Sequence, residues 1–358
     1  MKYKVAALHE LRKPFKIEEF DLPEVSGEQV LVKTAGCGLC HSDLHIWLGE
    51  LAVAPRFPLV LGHEPSGYVA AKGGGVPESI RVGMPVLVNG GYYRRENIYS
   101  LRGANQLADL EAQMWAGGIH VGCYAEYFLV PSYRYLVPAE GLEDLDKASV
   151  LSDAGLTPYR AFKHAMAILQ ARQYAEPGDI VVVVGVGGLG IFGAQYVSRL
   201  APHLDLVLAD VRDEALEFAG KFARPLALIN ARRENPLEAI KKTAHDRKVV
   251  AVLDFVGSSK TVSTYIKALS PGGVYVLIGL AEPEATIPIF DTVAQEYAVL
   301  GSLWGSIGDL YEVAGLAKRG LVDYRGVVTK RWRLDEINEA FMQMEKGAQL
   351  GRMVVSFS

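Results

Sequence analysis

The stretch IVVVVGVGGLGIFGAQYVSRLAPHLDLVLAD, residues 180–210, decides the fold. Its opening, Ile180 and four valines, is apolar all round, as a strand covered on both faces requires. Gly185-Val186-Gly187-Gly188-Leu189-Gly190 then spells G-x-G-x-x-G. LGIFGAQYVSRL reads as a helix stopped by Pro202, and LVLAD as a second buried strand ending in Asp210. Strand, glycine-rich turn, helix and strand make the first unit of a doubly wound parallel sheet.

The same rhythm continues downstream. RDEALEFAGKFA reads as a helix and ALIN as a strand, and Asn235 with Pro236 caps and opens the next helix. VVAVLDFVG, VYVLIGL and YAVLGSL bring the count to about six β segments. Upstream, EQVLVKTAG, GYVAAKG, MPVLVNGG and AEYFLVPSYRYLV are short strands broken by Gly and Pro, the pattern of a compact, mostly β domain. Residues 142–170 turn helical around DKASVLSDAGLTPYRAFKHA, with an Asp as cap. After Gly305 come helices near DLYEVAGLAKRG and LDEINEAFMQMEKG and the closing strand RMVVSF. The expected chain is α/β, with a mostly β domain over 1–157, a Rossmann block over 158–304, and a return to the first domain over 305–358.

Half of the 358 residues are apolar and 22% are charged, the composition of an ordered globular protein. A net charge of −4 argues against nucleic acid or an anionic membrane as the main partner. MKYKVAALHELRKPFKIEEF lacks the apolar core of a secretory signal. The most apolar stretch, 180–194, is interrupted by five glycines and is too short to span a bilayer. Three cysteines, Cys37, Cys40 and Cys123, make no disulfide framework. A cytoplasmic protein acting on a small molecule is expected.

The glycine motif implies a dinucleotide. Gly185 permits the tight turn, Gly187 lets backbone approach a pyrophosphate, and Gly190 lets helix and strand pack closely. Val186, Gly188 and Leu189 complete a loop that presents the helix N-terminus, with its free N–H groups, to the phosphates. Asp210, about 20 residues on, accepts from the adenosine ribose hydroxyls and repels a 2′-phosphate, which favours NAD over NADP. Arg212 nearby works against that discrimination. The plainer reading is a glycine-rich βα turn with a surface Asp.

A second cluster, CHSDLH at 40–45, crowds a thiol, a hydroxyl, a carboxylate and two imidazoles together. A polar turn met by chance is one reading, and a metal ligand beside its own proton-handling groups is another. Cys37 and Cys40 also form a C-x2-C, the spacing of a redox pair or a zinc knuckle, but no second such pair or matching His cluster accompanies it. Downstream, Gly62, His63, Glu64, Gly67, Gly73 and Val76 fill the pattern GHE-x2-G-x5-G-x2-V. With the glycine loop, DFVG at 254–257 and the GRMVVSF ending, the chain resembles the medium-chain, zinc-dependent alcohol dehydrogenases over nearly its whole length.

The resemblance implies a GroES-like catalytic domain, a Rossmann coenzyme domain, NAD, and one catalytic zinc held by Cys40, His63 and Asp153. At the third position relatives carry Cys or Asp. It implies that Glu64 enters the coordination sphere during ligand exchange and that Asp43 steadies the free ring nitrogen of His63. Ser42 bonds to the substrate hydroxyl, His45 relays its proton outward, and His41, Val256 and Gly279 contact the coenzyme. The implied reaction is reversible hydride transfer between an alcohol (secondary, aromatic or cyclic) and NAD(H). Specialised polyol or amino-alcohol dehydrogenases, and zinc-free quinone reductases or silent nucleotide binders, are the alternatives.

Relatives often carry a second, structural zinc on four cysteines, which three cysteines cannot supply. Packing of Tyr92, Tyr93 and Tyr99 is expected to hold that lobe instead, or else the lobe is mobile. Trp47, Phe57, Trp115, Leu303 and Trp304 hint at an apolar substrate pocket, or else are core or subunit contacts. By analogy the chain forms a dimer or tetramer.

Overall fold

The computed structural model describes residues 1–51, 56–114, 121–347 and 349–357. It forms two compact units, Met1–Leu156 with Gly305–Ser358, and Thr157–Trp304.

In the unit Thr157–Trp304 a six-stranded sheet runs in the order Ala227–Asn230, Asp205–Asp210, Ile180–Val184, Val249–Asp254, Val274–Leu277, Ala298–Gly301. Every neighbouring pair is parallel. In chain order this is 3-2-1-4-5-6, so the order reverses between Ile180–Val184 and Val249–Asp254, where such sheets open a crevice beyond their strand ends. All five side chains of Ile180–Val184 are buried, as their uniform apolarity demands. The capped helix begins where Asn235 and Pro236 put it: Asn235 Oδ1 accepts from the N–H groups of Leu237 and Glu238.

In the other unit a hairpin-like pair, Lys2–Ala7 with Lys16–Asp21, lies apart from a seven-stranded sheet. That sheet runs Val328–Trp332, Arg352–Ser356, Val30–Gly38, Pro65–Lys72, Pro85–Val88, Leu136–Pro138, with Tyr127–Val130 also on Val30–Gly38. The chain's last strand thus lies directly beside Val30–Gly38, register Val355 to Cys37, which explains why 305–358 returns to this domain. The helix His41–Leu48 follows at once and rests on Ile337–Glu345, where Trp47 meets Phe341 edge-on at 6.1 Å. Trp47 also donates to Lys13 O at 2.7 Å, so it is a structural contact.

Three expectations need correction. The helical reading of 142–170 breaks: Leu145–Ala148 and a 3₁₀ turn over Ser149–Ser152 precede Asp153, and a new helix runs Leu156–Arg172. No Asp caps the first of these with its side chain; Asp146 lies inside it and binds Arg331 instead. The cysteine count argues against a disulfide framework, yet Cys37 and Cys123 are bonded and Cys40 is the free thiol. A single bridge needs only two side chains brought together by the fold, which counting could not reveal. In the lobe, Tyr92 and Tyr93 pack on Tyr135 at 4.8 and 5.8 Å, but Tyr99 is exposed. A buried amide network does much of the holding: Asn105 Nδ2 donates to Asn89 Oδ1 and Gly91 O, Asn89 Nδ2 to Gly305 O, and Ile307 N to Asn105 Oδ1. Trp115 and His120 lie outside the described residues.

Candidate metal centre and dinucleotide loop

Cys40 is the N-cap of His41–Leu48 at the end of a sheet strand, so its thiol is held by two elements at once. His63 and Glu64 stand on the turn into Pro65–Lys72, and Asp153 on the break between helices. One donor atom from each of Cys40, His63, Glu64 and Asp153 falls within 4.8 Å of the others, and all four residues are buried. Cys40 Sγ lies 3.5 Å from Asp153 Oδ2, and His63 Nε2 lies 3.4 Å from the same oxygen. The helix break at Asp153, φ −141° and ψ −64°, is what frees that carboxylate to enter this cluster.

The surrounding groups fix the donors. Asp43 Oδ1 sits 3.0 Å from His63 Nδ1, leaving Nε2 toward the cluster. Tyr124, which the sequence reading missed, donates its hydroxyl to Asp43 Oδ2 at 2.8 Å. Arg352, also missed, donates to Glu64 Oε1 in a fully buried pair, while Glu64 Oε2 has no hydrogen-bond partner among the described residues. Gly38 makes room for that orphan oxygen: a Cβ there would stand 2.0 Å from it. Tyr124 follows Cys123 in GCYAEY and Arg352 opens the last strand, positions whose neighbours only folding supplies.

Without a cation the donors favour protons. Burial pushes the Cys40 thiol up, and Asp153 beside it pushes it further against the pull of His63. Burial raises Glu64 to about 8 in spite of Arg352. For His63, burial works downward, but Asp43, Asp153 and Cys40 together carry it well above its usual value. Burial and Asp43 keep the Tyr124 phenol protonated, hence a donor. One soft thiolate, one imidazole and one carboxylate match the donors of a zinc site, and a divalent cation balances the two ligand charges while Arg352 balances Glu64. The residues fit the metal.

Ser42 Oγ lies 3.7 Å from Cys40 Sγ. His45 is part-exposed and its Nδ1 meets Glu50 Oε2 at 2.7 Å. His41 is exposed, with Gln349 Nε2 3.4 Å from its Nε2.

In the parallel-sheet unit the loop Gly185–Gly190 joins Ile180–Val184 to the helix Gly190–Leu200. Gly190 is obligatory: a Cβ there would stand 1.9 Å from Gly185 O. Around Gly187 there is open space, as a backbone meant to approach a ligand needs. Leu189 is the helix N-cap and makes no side-chain cap bond. Asp210 ties the loop down as well as facing it: its Oδ2 accepts from Val186 N at 2.9 Å and its Oδ1 from Val211 N and Arg212 N. Arg212 Nε is 3.9 Å from Asp210 Oδ1. Val256 and Gly279 close the neighbouring strand ends, with a Cβ at Gly279 standing 2.2 Å from Val256 C. Among the substrate-pocket candidates, Trp304 is buried, Phe57 is exposed and Leu303 is half-buried.

Comparison with known proteins agrees with this geometry. Residues 26–141 match the alcohol dehydrogenase GroES-like domain and residues 188–319 the zinc-binding dehydrogenase domain. An alcohol dehydrogenase of Geobacillus stearothermophilus is 35% identical, covering 98% of each chain. An NAD-dependent alcohol dehydrogenase of Saccharolobus solfataricus is 33% identical over 97% of this chain and 98% of its own. The crystal structure of the alcohol dehydrogenase from Aeropyrum pernix superimposes with TM-score 0.85 at 31% identity, covering 99% of both chains.

Proposed function

The chain belongs to the medium-chain alcohol dehydrogenase family, and on that footing we propose that it reversibly oxidises a secondary, aromatic or cyclic alcohol to the carbonyl with NAD. The observation that carries the reading is the convergence of Cys40, His63, Glu64 and Asp153 within 4.8 Å. In this reading Cys40, His63 and Asp153 hold one catalytic zinc per chain, with no structural zinc, and Glu64 is the exchange ligand. When bound, zinc supplies a Lewis acid that lowers the pKa of a bound hydroxyl toward about 7, and NAD supplies the hydride acceptor. Asp43 and Tyr124 keep His63 in the tautomer that offers Nε2. Ser42 orients the substrate hydroxyl and accepts its proton while releasing its own, which His45, paired with Glu50, passes to water by way of the nicotinamide ribose hydroxyl. His41, the loop residues Gly185, Gly187, Gly188, Leu189 and Gly190, and Val256 and Gly279 seat the coenzyme. Asp210 and Arg212 choose between its two phosphorylation states.

The protein acts in the cytoplasm as a homo-oligomer of two or four copies. Exposed Leu280, Ile289, Phe290 and Val293 support self-association, as does Ala298–Gly301, which is paired on one side only among the described residues. No described helix is long and apolar enough to cross a membrane.

The test combines metal analysis with NADH formation over a panel of secondary, aromatic, cyclic and polyhydroxy alcohols. About one zinc per chain and turnover on the first three classes is expected. In Asp153→Asn, which keeps shape and removes one ligand charge, zinc affinity should drop and kcat fall by at least about a hundredfold. Full zinc content with unchanged turnover in that variant would remove Asp153 from the site. A preference for polyols over all other alcohols would transfer the reading to that specialised class.

A further inference from the structure

Cys37 and Cys123 are joined across 86 positions of sequence, and both are fully buried. No step of the reaction uses either. Yet the segments that build the metal centre meet at this bond. Cys37 lies three residues before Cys40 and pairs in register with Pro65, the residue after Glu64. On the other side, Cys123 N donates to Gly62 O at 2.9 Å and Tyr124 N to Leu61 O at 3.0 Å, fastening the turn that carries His63. Gly62 is wedged between the two: at φ +98° a Cβ there would stand 2.6 Å from Cys37 Sγ and 2.9 Å from Tyr124 N. Tyr124, the next residue after Cys123, donates to the carboxylate that orients His63.

We propose that the Cys37–Cys123 disulfide is a positioning element of the metal centre, holding the Cys40 strand, the His63 turn and the Tyr124 segment in one arrangement and thereby setting how firmly the metal is kept. This rests on the metal reading above. Donors drawn from segments far apart in sequence stay convergent only if their supports are fixed, and supporting contacts of this kind change metal affinity by about 10–100-fold. The bond also removes Cys37 from the C-x2-C, so that Cys40 is the one thiol offered to the metal. Being buried, the sulfurs are out of reach of an attacking thiolate in the folded state, so the bond acts as a fixed brace and not as a rapid switch.

The test compares zinc-loaded wild type with Cys37→Ala/Cys123→Ala, neither position being a ligand, by release of zinc to a chromophoric chelator. Release at least about tenfold faster is expected in the variant, with an altered thiolate-to-metal absorption when cobalt(II) replaces zinc. Equal release rates and superimposable cobalt spectra overturn the proposal even if the melting temperature drops, because a merely structural bridge would do only that. Three free thiols in wild type unfolded and alkylated without reductant overturn it as well. If the variant does not fold, wild type is treated with a phosphine in sub-denaturing urea, and zinc and thiols are counted on the same samples. Once the urea is removed and the reduced chain has regained the folded spectrum with zinc bound, release at least about tenfold faster than from the bridged chain supports the proposal, and release at the same rate overturns it. Wild type that binds no zinc under any condition would instead sink the metal centre itself, and this proposal with it.

Discussion

Arg352 is buried against Glu64, and inside a protein either charge alone would cost several kcal/mol. The GHE stretch made Glu64 readable because three consecutive residues carry the pattern, whereas its partner stands 288 positions away on the last strand, where no local spacing points to it. In the zinc-loaded protein, where Glu64 is charged, Arg352→Met should therefore destabilise by about 3–5 kcal/mol in urea denaturation, and Glu64→Gln/Arg352→Met should recover much of that by removing the stranded charge. A single variant within about 0.5 kcal/mol of wild type would mean that the pair is not what neutralises Glu64. Asp210 likewise has a proposed duty that was legible and an observed one that was not. Its place at the end of the second strand announced a ribose contact, but its bond to Val186 N emerged only from the folded loop. Asp210→Ser should raise the NADP-to-NAD ratio of kcat/KM by at least about tenfold while weakening NADH binding, both measured from initial rates and fluorescence titration. An unaltered ratio would take Asp210 out of coenzyme choice.

Among elements, the parallel sheet was the easiest to read, since its strands are apolar on both faces and its turns carry glycine, proline and capping residues at set offsets. Residues 142–170 were harder, because helical composition there conceals a break that exists only to aim side chains. Leu145–Ala148 sends Asp146 to Arg331 on Val328–Trp332 and to Ser356 on the last strand, which locks three elements together. Burial pushes the Asp146 carboxyl up, but the guanidinium of Arg331 and the Ser356 hydroxyl outweigh it and hold it below the usual carboxylate range. A depressed folded-state value adds stability above the unfolded pKa, near 3.9, and that stability is lost as pH falls through the folded value. Arg331→Gln should then cost about 1 kcal/mol at pH 7, the half-exposed guanidinium keeping the figure small, and the gap to wild type should close below about pH 4. Urea midpoints across pH 3–8 check the sign, and a gap that widens toward acid would contradict the assignment. In the lobe the aromatic expectation was half right for a related reason. Tyr92 and Tyr93 follow the strand Pro85–Val88 and pack on Tyr135, but Asn89, Asn105, Gln106 and Gln113 are polar in sequence and buried in fact, with Asn89 and Asn105 bonded to each other and to Gly305 and Ile307 and Gln113 donating to Gln106 O.

For the molecule as a whole, the first unit is assembled from two stretches of chain with another unit between them, so much of its cohesion depends on contacts of very long range. The strand Arg352–Ser356 pairs with Val30–Gly38 across more than three hundred positions of sequence, and such non-local pairing carries a large loop-closure cost. The Cys37–Cys123 bridge acts on that cost in the unfolded state. A cross-link closing a loop of 86 residues removes chain entropy worth about 4–5 kcal/mol at 25 °C in the loop-entropy account. Buried bridges of this kind also occur inside cells of hyperthermophiles, where a reducing cytoplasm does not prevent them. Wild type unfolded with its bridge intact and wild type unfolded under reductant should therefore differ in urea midpoint, the reduced chain being less stable by a few kcal/mol with the folded spectrum unchanged. The comparison must be made at equilibrium from both the folded and unfolded sides, because a buried bridge opens to reductant only through unfolding. Coincident midpoints from both directions would show that the bridge adds nothing to stability, and whatever it contributes would then lie in the metal centre alone.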